Sequence, residues 1–101
     1  MKLTKHLANS QIIKPLTKAG FKVKLVGSVK TKGYSLNDID IVLELNRTNS
    51  EDTFTKFESK LESMGYEHYF TDEIENFGTV HNYRKNQIGL DVFINEVGWW
   101  F

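Results

Sequence analysis

The sequence has 101 residues, of which 40% are hydrophobic and 13% aromatic, which suits the core of one domain, and a second folded domain is not expected. The absence of cysteine excludes disulfide frameworks and thiolate metal sites. No stretch approaches the roughly 20 apolar residues of a membrane span, and the N-terminus lacks a signal-peptide pattern. We therefore expect a single cytoplasmic domain over residues 1–101 with no membrane contact.

The net charge of zero hides an uneven distribution along the chain. Residues 1–37 contain eight lysines and no acidic residue, whereas all thirteen carboxylates lie from Asp38 onward, where there are only five basic residues. A lysine-rich half favours a nearby polyanion, either a triphosphate or a nucleic-acid backbone. The alternative interpretation is a set of ordinary solvated surfaces.

The first half of the chain predicts a helix, a strand and a loop. Apolar residues at helical spacing predict a helix over 3–19 that ends at Gly20. Pro15 interrupts this pattern, so it either lies in the first turn of a helix that begins near Ser10 or kinks a longer helix just before it. Residues 21–27, "FKVKLVG", alternate as a half-buried strand does, and a loop follows.

The second half predicts one helix and four strands. "DIDIVLEL" (38–45) alternates as a strand, and the next helix begins at Asn49 or Ser50 and ends at Gly65. Three further strands are predicted over 66–71, 79–85 and 88–94, the last two joined by a turn at Asn86. The predicted order is α, β, loop, β, α, β, β, β, an α/β chain of the α+β type.

Three aspartates in these strands form a candidate metal site. Asp38 and Asp40 share one face of their strand, and Asp91 interrupts an otherwise apolar strand. Clustered carboxylates repel one another unless a cation neutralises them, and Mg²⁺ prefers oxygen ligands of this kind. Two such ions, about 4 Å apart, activate an attacking hydroxyl and stabilise a leaving phosphate oxygen. Paired aspartates on a solvated strand are the plainer alternative.

The Gly27-Ser28 pair at the end of the first strand fits the same chemistry. Glycine lets a phosphate approach the backbone, and exposed N–H groups at a turn or at the N-terminus of a following helix hold the phosphate there. The hydroxyl of Ser28 offers a further donor. Alone, such a pair is ordinary turn chemistry, and its conjunction with the three aspartates carries the interpretation.

Together these residues resemble the nucleotidyltransferase superfamily that includes DNA polymerase beta. The shared pattern is Val26-Gly27-Ser28, a nine-residue gap, Asp38-Ile39-Asp40 and the later lone Asp91. The resemblance implies a mixed sheet backed by helices, with Asp38, Asp40 and Asp91 as metal-binding and catalytic residues. It also implies that Gly27 and Ser28 hold the triphosphate and that Asp91 helps to activate the acceptor hydroxyl.

In its small size the chain is most similar to the minimal nucleotidyltransferases, many of which are antitoxins. Members of that subgroup pair with a HEPN-type toxin and attach AMP to it, so the resemblance implies ATP, two Mg²⁺ ions and a partner protein. Their loop commonly carries an arginine, which Lys30 or Lys32 would replace here in binding phosphate. The predicted function is therefore transfer of a nucleoside monophosphate, AMP, from an NTP to a hydroxyl acceptor.

Two other function classes stay open from the sequence. One is an inactive module of the same fold that acts by binding a protein partner, and the other is a nucleic-acid-binding domain that uses the lysine-rich half. The C-terminal Trp99, Trp100 and Phe101 are expected to be buried, either against the chain's own sheet or in a contact with a partner or a second copy in a homodimer.

Overall fold

The structure is a computed structural model that describes residues 3–35, 38–74 and 78–97. Two sequence expectations fall outside this description, namely the contacts of the Ser28 hydroxyl and the burial of the aromatic residues 99–101.

The first helix forms over most of the predicted range, but it begins at Lys5 because Leu3–Thr4 form a strand, which corrects the predicted start at residue 3, and it is not regular along its length. The N-terminal elements are strand β1 (Leu3–Thr4) and helix α1, which runs through Lys5–Ala8, Asn9–Ile13 and Lys14–Lys18. The middle segment of α1 is π-helical, with the amide of Lys14 donating to the carbonyl of Asn9. Pro15 lies in the first turn of the last segment. Because proline has no N–H to donate, a distortion of the helix just before it is expected, and the wider turn lies there.

The Gly-Ser segment forms a short helix, which corrects the loop expected from the sequence. The next elements are β2 (Lys22–Val26), α2 (Gly27–Lys32), β3 (Tyr34–Ser35) and β4 (Asp38–Asn46). Val29 is fully buried and anchors α2 to the core. The amide of Gly33 donates to the carbonyl of Val29 at 3.0 Å, and Gly33 ends the helix with a left-handed φ of 84°. β3 pairs antiparallel with β1.

The remaining elements match the predicted order, and the strands extend further than expected. They are a 3-10 turn (Arg47–Asn49), α3 (Ser50–Ser63), β5 (Glu67–Ile74), β6 (Gly78–Lys85) and β7 (Ile88–Val97). Asn49 is the N-cap residue of α3, and Glu51 and Asp52 lie in its first turn. Negative charges at this end of a helix interact favourably with the helix dipole. The turn between β6 and β7 passes through Asn86 with φ 55°, as predicted.

Five strands form one mixed sheet in the order β2-β4-β7-β6-β5. β4 and β7 are parallel, and every other neighbouring pair is antiparallel. The expected mixed sheet backed by helices is therefore confirmed. Since β4 and β7 lie at the centre of the sheet, the two strands that carry the three aspartates are direct neighbours.

The core lies between one face of this sheet and the helices. Its fully buried side chains include Ile12 and Leu16 from α1, Phe57 and Leu61 from α3, Ile39, Ile41 and Leu43 from β4, and Leu90 and Val92 from β7. The alternation of β4 places Asp38, Asp40 and Val42 on the opposite face, where they are half-buried. No helix in the described ranges is both long and apolar enough to cross a membrane.

Candidate active site

The three predicted aspartates meet on the face of the sheet that lies away from the core. Asp40 is directly opposite Asp91 in the parallel β4–β7 ladder, and Asp38 is opposite Gly89. Residues that face each other across a ladder share a side of the sheet, with Cβ atoms about 5 Å apart. The carboxyl group of Asp91 lies close enough to Asp38 and Asp40 for its negative charge to raise the pKa of both.

A buried asparagine, which the sequence analysis did not identify, completes this cluster. Asn82 lies opposite Asp91 in the β6–β7 ladder and is 0% exposed. Its Nδ2 donates to Oδ1 of Asp91 at 2.7 Å and to Oδ2 of Asp38 at 3.4 Å. The predicted turn at Asn86 offered a signal, because counting back from a two-residue turn that pairs Lys85 with Ile88 puts Asn82 opposite Asp91.

Two glycines make room for the carboxylates. A Cβ atom at Gly89 would lie 2.6 Å from Cγ of Asp38, and one at Gly27 would lie 3.0 Å from Cγ of Asp40. Gly27 also has a φ of 71°, which side chains rarely adopt. Both positions therefore require glycine while the aspartates hold their present places.

The cluster favours protonation of two of its carboxyl groups. Burial, followed by the negative charge of Asp91, raises the pKa of Asp40 to about 6. Burial is also the largest cause of the raised pKa of Asp38, followed by the charge of Asp91, while Arg84 and Asn82 act to lower it. Like charges this close cannot all ionise at low cost unless a cation joins them.

Arg84 supplies a positive charge that acts to lower the pKa of Asp38. It lies opposite Gly89 in the β6–β7 ladder, in the same row of the sheet as Asp38. Because Gly89 has no side chain, nothing in that row separates the arginine from the aspartate. The guanidinium carbon also lies 5.0 Å from the ring centroid of Tyr69.

The candidate phosphate-binding residues belong to α2, which begins beside the carboxylates, but its two lysines form no ion pair with those carboxylates in the described part of the chain. Gly27 begins α2 next to Asp40, and Ser28 is the second residue of that helix. Lys30 and Lys32 are exposed in its last turn. Within the described residues, neither lysine forms an ion pair with the three aspartates.

The donor set suits a hard divalent cation. Asp38, Asp40 and Asp91 offer only oxygen ligands, which Mg²⁺ prefers, and Oδ1 of Asn82 is a buried acceptor without a hydrogen-bond partner in the part of the chain described. Across those same residues, no group of three or more Asp, Glu and His side chains is already arranged to hold a metal ion. The chemistry of these residues fits a metal, whereas their geometry is not a preformed cage.

A cavity of about 520 Å³ adjoins Asp40 on the same face of the sheet. Its lining includes Val26, Val42 and Phe93, which form an apolar surface next to the carboxylates.

The histidines lie elsewhere. His81 is opposite Val92, on the core side of the sheet, where its ring packs 4.6 Å from that of Phe54.

Comparison with known proteins identifies the fold. No family model and no curated protein matches the sequence. Two solved structures of Cid1 match with TM-scores of 0.64 and 0.63, each at 17% sequence identity over 90% of this chain. One is a poly(U) polymerase mutant bound to MgATP, and the other is described as an RNA terminal uridylyl transferase.

The match covers only part of those enzymes. This chain spans 31% of one Cid1 chain and 29% of the other. At this level of identity the likeness concerns the arrangement of the sheet and helices. The chain therefore has a nucleotidyltransferase-like fold.

Proposed function

We propose that this protein is a metal-dependent nucleotidyltransferase that moves AMP from ATP to a hydroxyl group on a partner protein. The observation that carries the proposal is the meeting of Asp38, Asp40 and Asp91 on two adjacent strands, directly beside Gly27. The nucleotidyltransferase-like fold supports the same reaction class.

The residues of α2 are proposed to bind the triphosphate. Gly27 brings the backbone close to Asp40, and the resemblance to the superfamily assigns phosphate contacts to Gly27 and Ser28. Lys30 and Lys32 carry exposed ammonium groups on the same short helix, and such groups act as point charges on phosphate.

Asp38, Asp40 and Asp91 are proposed to hold two Mg²⁺ ions. When bound, these ions would neutralise the charge that develops on the phosphates and lower the pKa of the attacking hydroxyl. Burial and, after it, the negative charge of Asp91 raise the pKa of Asp38 and of Asp40, so both effects oppose ionisation of these carboxyl groups. A divalent ion would relieve that repulsion and favour the ionised form of these aspartates.

The transfer step is an in-line displacement at the α-phosphorus. The acceptor oxygen forms a bond to this phosphorus, the bond between the phosphorus and the bridging oxygen breaks, and pyrophosphate leaves. Asp91 accepts the proton of the acceptor hydroxyl. This role suits Asp91 because it lies between Asp38, Asp40 and the Asn82 amide, which together restrict its orientation.

The acceptor is proposed to be a protein, of the HEPN-type toxin class that the subgroup resemblance implies. The sheet face around Phe93 and Val42 is lined by apolar side chains next to Asp40. A partner that covers this surface would complete the wall of the cleft and exclude water from the reacting groups.

Labelled ATP tests both parts of this proposal. We expect purified protein, incubated with a lysate of its source cells, Mg²⁺ and ATP labelled at the α-phosphate, to transfer label to protease-sensitive material. The Asp38→Asn, Asp40→Asn double variant should transfer none. Label in RNase-sensitive material would instead support a polynucleotide acceptor. No transfer by the wild type would favour a binding module that does not catalyse.

A further inference from the structure

We propose that Asn82 is a positioning residue that holds Asp38 and Asp91 in place for metal binding. The inference rests on the proposed metal site. Asn82 lies on β6, outside both strands that carry the aspartates, and belongs to none of the motifs recognised in the sequence.

The contacts of the amide group are the first support. Nδ2 carries two N–H groups. This nitrogen lies 2.7 Å from Oδ1 of Asp91 and 3.4 Å from Oδ2 of Asp38. One side chain thus bridges carboxylates from two strands. Asp91 is also opposite Asp40, so the amide helps to fix the carboxyl group at the centre of the cluster.

The neutrality of this donor is the second support. A lysine or arginine at position 82 would also bind the carboxylates, but its charge would repel an incoming divalent cation. An amide orients the two carboxylates and leaves their negative potential available. This is the usual task of the residues that hydrogen-bond to metal ligands.

The burial of Asn82 is the third support. The side chain is 0% exposed, and its Oδ1 lacks a hydrogen-bond partner among the described residues. An unpaired buried oxygen is unfavourable for folding. Leucine has a similar size and would remove that oxygen, and Val80 and Tyr83 on the same strand are buried as well. Packing alone therefore does not explain an amide at this position.

Titration with Mn²⁺ separates a positioning role from a purely structural one. We would compare the wild type with Asn82→Leu by calorimetry at neutral pH and record the thermal unfolding of each protein without metal. Asn82→Leu removes the unpaired buried oxygen but also both hydrogen bonds to Asp38 and Asp91, so the expected result is a folded protein whose Mn²⁺ binding is weakened by about 10- to 100-fold. Asn9→Leu makes the same change at an exposed position on α1, outside the site, and should bind Mn²⁺ like the wild type.

A folded Asn82→Leu protein that binds Mn²⁺ within about twofold of the wild type would overturn the proposal, because the predicted loss is at least about tenfold. If Asn82→Leu does not fold, Asn82→Ser takes its place, since a serine hydroxyl has one donor and cannot bridge two carboxylates. The same criterion then applies. Failure of the wild type to bind Mn²⁺ would reject the metal site and, with it, the role of Asn82. Binding that is unchanged in the variant would reject Asn82 alone.

Discussion

Two glycines determine where the carboxylates of the candidate site lie. Gly27 and Gly89 belong to different elements, and in each case a Cβ atom would occupy space that an aspartate now fills. This close approach to an aspartate is not shared by every glycine of the chain. Gly20 and Gly33 also have positive φ angles, but a Cβ at either position would meet nothing within 4 Å.

This difference makes Gly27→Ala a test of the contact itself. Gly27→Ala and Gly20→Ala both place a side chain in a left-handed conformation, which costs about 1–2 kcal/mol of stability. Only Gly27→Ala would also displace the Asp40 carboxylate. We expect Gly27→Ala to lose at least about tenfold in Mn²⁺ affinity, the range for disturbed ligand shells, whereas Gly20→Ala retains it. Equal Mn²⁺ affinities for the two variants would contradict this account of Gly27.

The raised pKa of Asp40 predicts a pH dependence of stability in the absence of metal. Burial and the charge of Asp91 raise this pKa from 3.8 to about 6, so between these values the folded state binds more protons than the unfolded state. The free energy of unfolding therefore falls as the pH rises through this window. Asp38, whose pKa is also raised, contributes in the same direction.

Asp40→Asn should remove part of that dependence. Urea unfolding near pH 4 and pH 7 is expected to show a smaller loss of stability for the variant, which becomes more stable than the wild type at pH 7 by on the order of 1 kcal/mol. Asp72→Asn, at an exposed position on β5, is the matched control. Two results would contradict the role of Asp40. One is a free energy of unfolding of the wild type that rises from pH 4 to pH 7, and the other is an equal loss of stability in the wild type and in Asp40→Asn.

At the level of elements, strand periodicity predicted which residues share a face, but not which strands are neighbours. The alternation in β4 correctly separated Asp38 and Asp40 from Ile39 and Ile41. The placement of Asp91 opposite Asp40 depends on a parallel pairing between strands far apart in sequence, and only the family resemblance predicted their proximity. Local periodicity contains no information about such a long-range pairing.

The segment after Gly27 shows a second limit of sequence interpretation. The seven residues "GSVKTKG" (27–33) were expected to form a loop, because glycine lies at both ends and several side chains between are polar. The structure forms α2 there, because Val29 is buried in the core and Gly33 provides a left-handed helix end. One buried residue is too short a pattern to reveal a helical period.

Helix α3, in contrast, was predicted closely, and its core contact can be tested. Phe57 is fully buried on α3 and meets Phe21 edge to face, with ring centroids 5.4 Å apart. Phe57→Ala should lower the free energy of unfolding by about 3–5 kcal/mol, measured by urea denaturation. Lys56→Ala, at an exposed position on the same helix, should change it by less than about 1 kcal/mol. A similar small loss for Phe57→Ala would mean that α3 does not pack on the sheet as described.

At the scale of the whole molecule, the lysines of the N-terminal half that the structure describes belong to three different elements. They lie on α1, β2 and α2, and the acidic cluster lies at the centre of the sheet. Lys22 on the edge strand β2 is opposite Glu44. This arrangement favours a small anionic substrate at a cation-binding site over a continuous track for a nucleic-acid backbone.

The central claim is that the aspartate cluster binds a nucleotide through a divalent metal, and calorimetry of ATP binding tests it most directly. We expect the wild type to bind ATP in the presence of Mg²⁺ and to lose this binding when EDTA replaces the metal. The Asp38→Asn, Asp40→Asn double variant should not bind with or without Mg²⁺, whereas Asp52→Asn, Asp72→Asn, with the same change in charge at exposed positions, should bind like the wild type. ATP binding that is independent of Mg²⁺, or that survives in the Asp38→Asn, Asp40→Asn variant, would contradict the claim.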